Sequence, residues 1–313
     1  MAVEGEKRRV VVYLIRHGQS RWNEAQKRRD YIGLIRRIDH QLTHIGVKQA
    51  RALYTQFAEG AKVGEGSPSS ERVGLDMLLD VDAIWSSPLS RALQTALLGM
   101  HPVLLRDSGP PLVLKPALRE KKNLGGLDTI GARRGHGCVD RALRSFGPAI
   151  TPEELHAMRN IKVDHAEAER RWWNNGMETG QDVRKRIRRL LSEIAESSHG
   201  SIVLVGHSHY FRELFRMCLN TECVDQETIN LLNQKKIGNC DVARCELDFS
   251  LHSERVISRV HIFTPAAAIK RTMRPARRIL RGAKIVPEHN VHSDDSGGSI
   301  CEDNSSKAEK LAM

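Results

Sequence analysis

Val10-Val11-Val12-Tyr13-Leu14-Ile15-Arg16-His17-Gly18-Gln19-Ser20 decides the fold of this chain. Its six-residue apolar run, rich in β-branched valine, reads as a strand buried on both faces, the kind found in parallel sheets. The run stops on Arg16, His17 and Gly18. In open α/β sheets the carboxyl ends of the strands are where ligands bind. The strand thus delivers a planar cation, a nucleophile or proton carrier, and a turn that lets a ligand approach the backbone. Ser201-Ile202-Val203-Leu204-Val205-Gly206 repeats the pattern and ends on His207. Two strands that each finish on histidine converge on one site.

Working outward, Thr43 opens a helix through His44 to Leu53 as its N-cap. Gly60 to Arg72, rich in Gly, Ser, Pro and charge, reads as a loop. Val81 to Trp85 is the next strand, and Pro88 stands where a first helical turn tolerates it, with helix continuing through Arg91 to Ala96. Leu112-Val113-Leu114 is a short strand leading to Leu118-Arg119-Glu120. From about residue 123 to 179, glycines, basic residues and Trp172-Trp173 predict an inserted cap over the sheet. Val183, Ile187, Leu190, Leu191 and Ile194 recur at helical spacing. A helix follows from Tyr210 to Leu219, with strands near Cys240 to Phe249 and Val256 to Phe263. Alternating strands and helices predict an α/β fold with a mainly parallel central sheet flanked by helices.

The chain has 313 residues and a net charge of +11. It holds no apolar run of the roughly 18 residues that span a membrane. The polar start, Met1 to Arg9, offers no secretory signal and no glycine for myristoylation, so a cytoplasmic location is expected. Six cysteines at 138, 218, 223, 240, 245 and 301 then read as reduced thiols. The paired spacing of Cys218/Cys223 and Cys240/Cys245 suits zinc poorly, because two positions an odd number apart on a strand face opposite sides. Seven basic residues between Lys270 and Lys284, with no acid among them, supply much of the excess charge. That segment could bind an anionic surface, although Pro275 interrupts its amphipathic pattern. Scarce aromatic residues argue against nucleic acid as a partner. The main domain is expected over 8–265, followed by a basic then acidic tail over 266–313 without stable structure.

Arg16-His17-Gly18-Gln19-Ser20 with Trp22-Asn23 resembles the signature of the histidine phosphatase superfamily, the phosphoglycerate mutase-like fold. Ser86-Ser87-Pro88-Leu89-Ser90-Arg91-Ala92-Leu93-Gln94-Thr95-Ala96 resembles its second motif, and Gly206-His207-Ser208 its third. Three ordered matches in strand context are far more specific than one. The resemblance implies that His17 is the nucleophile and carries a transient phosphohistidine. It implies that Arg16 and Arg91 clamp the phosphoryl oxygens, a task that suits the fork geometry and fixed charge of guanidinium. His207 would add a second donor, strongest when protonated, and Asn23 a neutral one. Glu120, in the Leu-x-Glu context of branch 1, would supply the leaving-group proton, with Asp128 in reserve.

The implied activity is metal-independent, cofactor-free hydrolysis of a phosphate ester, carried by a phosphorylated small molecule or a phosphoprotein. Two departures separate the chain from glycolytic mutases. Glu120 is followed by Lys121-Lys122-Asn123 where those enzymes have Arg-His-Tyr, and Tyr31-Ile32-Gly33-Leu34 replaces their Gly-Trp segment. A mutase, and a catalytically silent anion-binding or partner-binding protein, are the competing readings. Arg170, Arg171, Trp172 and Trp173 are candidates for a substrate lid. His207-Ser208-His209 lacks the companion carboxylates or thiols of a metal centre.

Overall fold

The structure, a computed structural model, describes residues 8–62, 77–122, 127–173, 176–250 and 253–264. The expected tail, most of the 60–72 loop and Asn123 lie outside the described residues. Seven strands, β1 (Arg9–Arg16), β2 (Ala83–Ser86), β3 (Leu112–Leu114), β4 (Val163–Asp164), β5 (Ser201–Gly206), β6 (Val242–Asp248) and β7 (Ile257–Phe263), form one sheet in the order β4-β3-β2-β5-β1-β6-β7. The first five are parallel, and β6 and β7 add an antiparallel edge beside β1. The helices are α1 (Arg21–Arg28), α2 (Tyr31–Ile35), α3 (His44–Lys62), α4 (Ser90–Gly99), α5 (His101–Leu104), α6 (His136–Arg144), α7 (Pro152–Arg159), α8 (Gly180–Glu196), α9 (Ser208–Cys218) and α10 (Gln226–Gln234). None is long and apolar enough to cross a membrane among the described residues.

The central position of β1 explains its unbroken apolar run. Alternation sends Tyr13 and Ile15 to one face, against Val47 and Leu53 of α3 and Leu93 and Leu97 of α4. Val10, Val12 and Leu14 go to the other, against Val183, Ile187 and Leu190 of α8 and Phe211 of α9. All five are at most 2% exposed. Truncating one of them, as in Ile15→Ala, should cost about 2–5 kcal/mol in lost transfer energy and residual cavity.

Local chemistry sets the helix ends. The Thr43 hydroxyl accepts the Gly46 N–H at 3.1 Å, and α3 runs on to Lys62, beyond the expected loop start at Gly60. Thr179 and Asp182 close a reciprocal capping box on α8, whose buried residues are the five read from the spacing. Helix α4 begins at Ser90, two residues after Pro88, because a carboxylate caps it from outside. Asp39 accepts both the Ser90 N–H and its hydroxyl at 2.7 Å. Cys240 precedes β6 in a left-handed conformation (φ 59°), so the predicted strand starts two residues late. The five described cysteines are free thiols.

The 123–179 stretch does more than cover the sheet. It contributes the edge strand β4, and α6 packs with α4 in the core, where Trp172 is also buried. The Trp172 indole N–H donates to the Arg133 carbonyl at 3.1 Å, and Trp173 stacks edge-on against it. These tryptophans are packing residues. Neither lines the cavity described next.

Candidate active site

At the carboxyl ends of β1 and β5 lies a cavity of about 100 Å³, room for about three waters. Arg16, His17, Asn23, Arg91 and Glu120 line it together. His207 is fully buried and does not line it, but its ring centroid lies 5.0 Å from that of His17.

The state of His17 follows from its two ring nitrogens. Nδ1 lies 2.7 Å from the Gly18 carbonyl, which can only accept, so Nδ1 carries the proton. The Arg91 Nε–H points at His17 Nε2 from 3.2 Å, and a guanidinium can only donate. Both contacts require an Nε2 lone pair, directed at Arg91, a residue that lines the cavity. Burial, reinforced by the Arg91 and Arg16 charges, pushes the His17 pKa well below its ordinary value of 6.5. The imidazole is therefore neutral at physiological pH.

The backbone around His17 is fixed from several directions. Its N–H donates to the Gly206 carbonyl at 3.0 Å, and its carbonyl accepts the Asn239 amide at 2.8 Å. Gly18 N–H donates to the Thr95 hydroxyl at 3.0 Å, and that hydroxyl donates to the Arg91 carbonyl at 2.7 Å. One α4 turn thus holds Gly18, the neighbour of His17, and Arg91 together. Gly18 also meets Gly46 of α3: a Cβ on Gly18 would lie 2.6 Å from the Gly46 carbonyl oxygen. Only two glycines permit that approach.

Arg91 is 1% exposed and fully engaged at rest. Besides His17, it donates through Nη1 to the Asp128 carbonyl at 2.8 Å, and Nη2 lies 3.6 Å from the Asp128 carboxylate. Arg16 donates to the Ile237 carbonyl at 2.7 Å, and burial lowers its pKa. The Asn23 oxygen faces the Ser20 N–H, the Ser20 hydroxyl and the Asn239 amide at 3.1–3.3 Å. The Asn23 amide nitrogen has no hydrogen-bond partner among the described residues and remains as its donor.

Glu120 is buried at the first turn of α9. Its Oε1 accepts the Tyr210 and Lys121 N–H groups at 2.9 Å, and Oε2 has a longer 3.4 Å contact with the His209 N–H. The side chain of Lys121, the next residue in the chain, pairs with Glu213 at 3.0 Å. Asp128 has its pKa raised, chiefly by burial and against the pull of Arg91. The His207 Nε2 lies 2.9 Å from the Ser87 hydroxyl, and Nδ1 has no hydrogen-bond partner among the described residues. Burial, then the Arg91 charge, pushes the His207 pKa well down, so the ring is neutral at rest rather than the imidazolium expected of a strong donor.

A family model for the histidine phosphatase superfamily (branch 1) matches residues 12–68 and 146–249. The chain belongs to the histidine phosphatase superfamily. Arg91 and Glu120 fall between the matched segments, so their place in the site rests on geometry. No curated protein matches the chain. Solved structures similar to it include phosphoglycerate mutase from Bacillus anthracis, at 19% identity over 82% of this chain and 94% of that one, with TM-score 0.44. Phosphoserine phosphatase from Entamoeba histolytica is 15% identical over 82% and 98%, with TM-score 0.42. A mycobacterial glucosyl-3-phosphoglycerate phosphatase is 19% identical over 82% and 97%, with TM-score 0.41. What each of these acts on is a property of that protein.

Other members of this superfamily site were not legible in sequence. Trp22, Gln26, Ser208, His209 and Lys236 also line the cavity. Burial is the main cause that lowers Lys236 from its usual pKa and His209 to about 4. Ser208 and His209 stood beside His207, which was a usable signal. Lys236 and Asn239 come from an irregular loop with no period to mark it. Among the described residues no group of three or more His, Cys, Asp or Glu side chains is arranged to hold a metal ion.

Proposed function

We propose that the protein is a phosphatase that hydrolyses a phosphate ester through phosphorylated His17. The observation that carries this reading is the His17 tautomer: Nδ1–H on Gly18 and an Nε2 lone pair faced by Arg91. A neutral buried imidazole with its lone pair toward a cationic residue of the cavity is a nucleophile for an electrophile that brings negative charge with it.

In the first step Nε2 attacks phosphorus in line, the P–N bond forms and the P–O bond to the leaving group breaks. Arg91 releases His17 and moves its Nε–H to a phosphoryl oxygen, joined by Arg16, the Asn23 amide and the free Nδ1 side of His207. Stabilising charge on those oxygens is the larger part of catalysis in phosphoryl transfer. Glu120 gives a proton to the departing alkoxide. In the second step Glu120 takes a proton from water, the hydroxide attacks phosphorus, and the P–N bond breaks to restore the Nε2 lone pair and free phosphate. Glu120 is preferred to Asp128 as donor because the Asp128 carboxylate is directed at Arg91, a phosphate ligand. The raised Asp128 pKa keeps it as the second candidate.

Phosphate release from an aryl phosphate, with chelator present, tests the reading in wild type and His17→Ala. Chelator-resistant turnover that His17→Ala abolishes is expected; a wild type without turnover sinks the phosphatase reading. Glu120→Gln should spare the initial burst of phenol from aryl phosphates, whose leaving group needs no proton, slow the later hydrolysis of phospho-His17, and cripple alkyl phosphates from the first step. If Asp128→Asn shows that split instead, the donor is Asp128. Phosphoryl transfer to a product isomer with little free phosphate identifies a mutase. An inert chain that still binds phosphate identifies a binding protein on the same scaffold.

A further inference from the structure

Lys27-Arg28-Arg29-Asp30-Tyr31-Ile32-Gly33-Leu34-Ile35-Arg36-Arg37-Ile38 supplies nothing to the cavity at His17, yet it holds four of the seven exposed large hydrophobic residues among the described residues. Tyr31, Ile32 and Ile35 on the five-residue helix α2 are 72%, 65% and 66% exposed. Exposed apolar residues scattered singly are ordinary; three on one short helix form a patch.

Exposed cations stand on both sides, Lys27, Arg28 and Arg29 before the patch and Arg36 and Arg37 after it. Beside the patch is a second cavity, of about 510 Å³, with Arg21, Arg28, Arg36 and Arg37 on its walls. The two carboxylates there are already engaged. Glu24 pairs with Arg28 at 2.9 Å, and Asp30 accepts the Gly33 N–H at 2.9 Å as the cap of α2. The surface is thus an apolar tip set in an excess of positive charge, with Arg36 and Arg37 outside any ion pair among the described residues.

We propose that this tip is a docking site for an anionic membrane surface. Tyr31, Ile32 and Ile35 enter the boundary between headgroups and acyl chains, while the arginines spread along the headgroup phosphates on their long stems. A bilayer fits better than a protein partner because the exposed apolar side chains stand on a five-residue helix between basic segments, and the adjoining cavity is lined mainly by charged residues rather than by an apolar groove for a peptide. The chain's net charge of +11 adds long-range attraction to the same surface. The inference is independent of the catalytic reading.

Co-sedimentation of the full chain with vesicles tests it, using phosphatidylcholine alone and phosphatidylcholine mixed equally with phosphatidylserine. Wild type should bind only the mixed vesicles, and less as salt rises. Ile32→Ser with Ile35→Ser should abolish binding. Arg36→Gln with Arg37→Gln should weaken it about 30-fold, from about 1 kcal/mol for each basic residue at an anionic surface. All four side chains are exposed, so both double variants should keep the wild-type melting temperature and aryl phosphatase rate. Absence of wild-type binding overturns the proposal. So does binding that neither variant alters, which would place the contact elsewhere, as in the basic 270–284 segment.

Discussion

Gly46→Ala offers a sharp test of how the nucleophile is positioned, because general and local effects oppose each other. In a helix, Gly→Ala ordinarily stabilises by about 1 kcal/mol. Here a Cβ on Gly46 would sit 2.1 Å from the Gln19 carbonyl oxygen, 2.9 Å from its carbon and 3.0 Å from its nitrogen. All three are backbone atoms, so no side chain can swing away. Restoring an ordinary contact requires α3 and the 17–20 turn to part by about 1 Å, given the dense packing of protein interiors. That separation strains the contacts of Thr43 N–H and hydroxyl with the Gln19 carbonyl, at 2.9 and 3.2 Å. Two weakened hydrogen bonds at about 1 kcal/mol each, with about 1–3 kcal/mol of overpacking, exceed the helix gain. The expected net loss is about 2–4 kcal/mol. Because Gln19 is two residues from His17, a displacement near 1 Å should also lower kcat/KM about 100-fold on an aryl phosphate. Denaturant unfolding and steady-state kinetics read the two effects, with exposed Ile45→Ala as the control. A Gly46→Ala protein with wild-type stability and turnover would refute the argument that this glycine contact sets the site.

Three further outcomes follow from the same geometry. Arg91→Gln should reduce kcat/KM by about 100-fold or more through the lost phosphoryl donor; by removing a charge that holds the His17 pKa down, it should also shift the acid limb of the pH–rate profile to higher pH. Denaturant unfolding across pH should show stability falling as pH drops from about 6.5 towards 4. His17 and His207 are held well below 6.5, and His40 and His209 near 4, so the unfolded chain binds these protons first, costing up to about 1.4 kcal/mol per pH unit for each histidine; a flat profile would contradict the buried neutral state. Asp39→Asn keeps the left-handed backbone, which Asn tolerates, but removes the charge that holds Ser90 and Arg141; a loss of about 2 kcal/mol in thermal or chemical unfolding is expected.

The parts of the site that sequence exposed are those where regular structure ends on a chemically distinctive residue. Arg16 and His17 end β1, and Glu120 lies just past β3. Arg91 opens α4, and the second strand pattern runs straight into His207. Periodicity marks such positions because the apolar run stops there. It is silent about Asp39, a carboxylate whose buried role depends on the distant Ser90 and Arg141. It is silent too about Lys236 and Asn239, loop residues brought to His17 only by the return of the chain into β6. Strand β4 was missed for a simpler reason: two residues carry no period, and only pairing with β3 defines them. The expected cap likewise conceals an edge strand and core tryptophans, since a buried Trp and a lid Trp look alike in sequence.

The position of β1 has a consequence for how the protein is made. Its parallel partner begins at Ser201 and its antiparallel partner at Val242, so the strand emerges from the ribosome about 190 residues before either neighbour exists. Until then Val10 to Ile15 is an unpaired, uncharged, β-prone segment, the type most apt to pair with another chain. The strand that ends at His17 therefore depends on protection by chaperones during synthesis, and translation that halts short of residue 201 leaves it exposed.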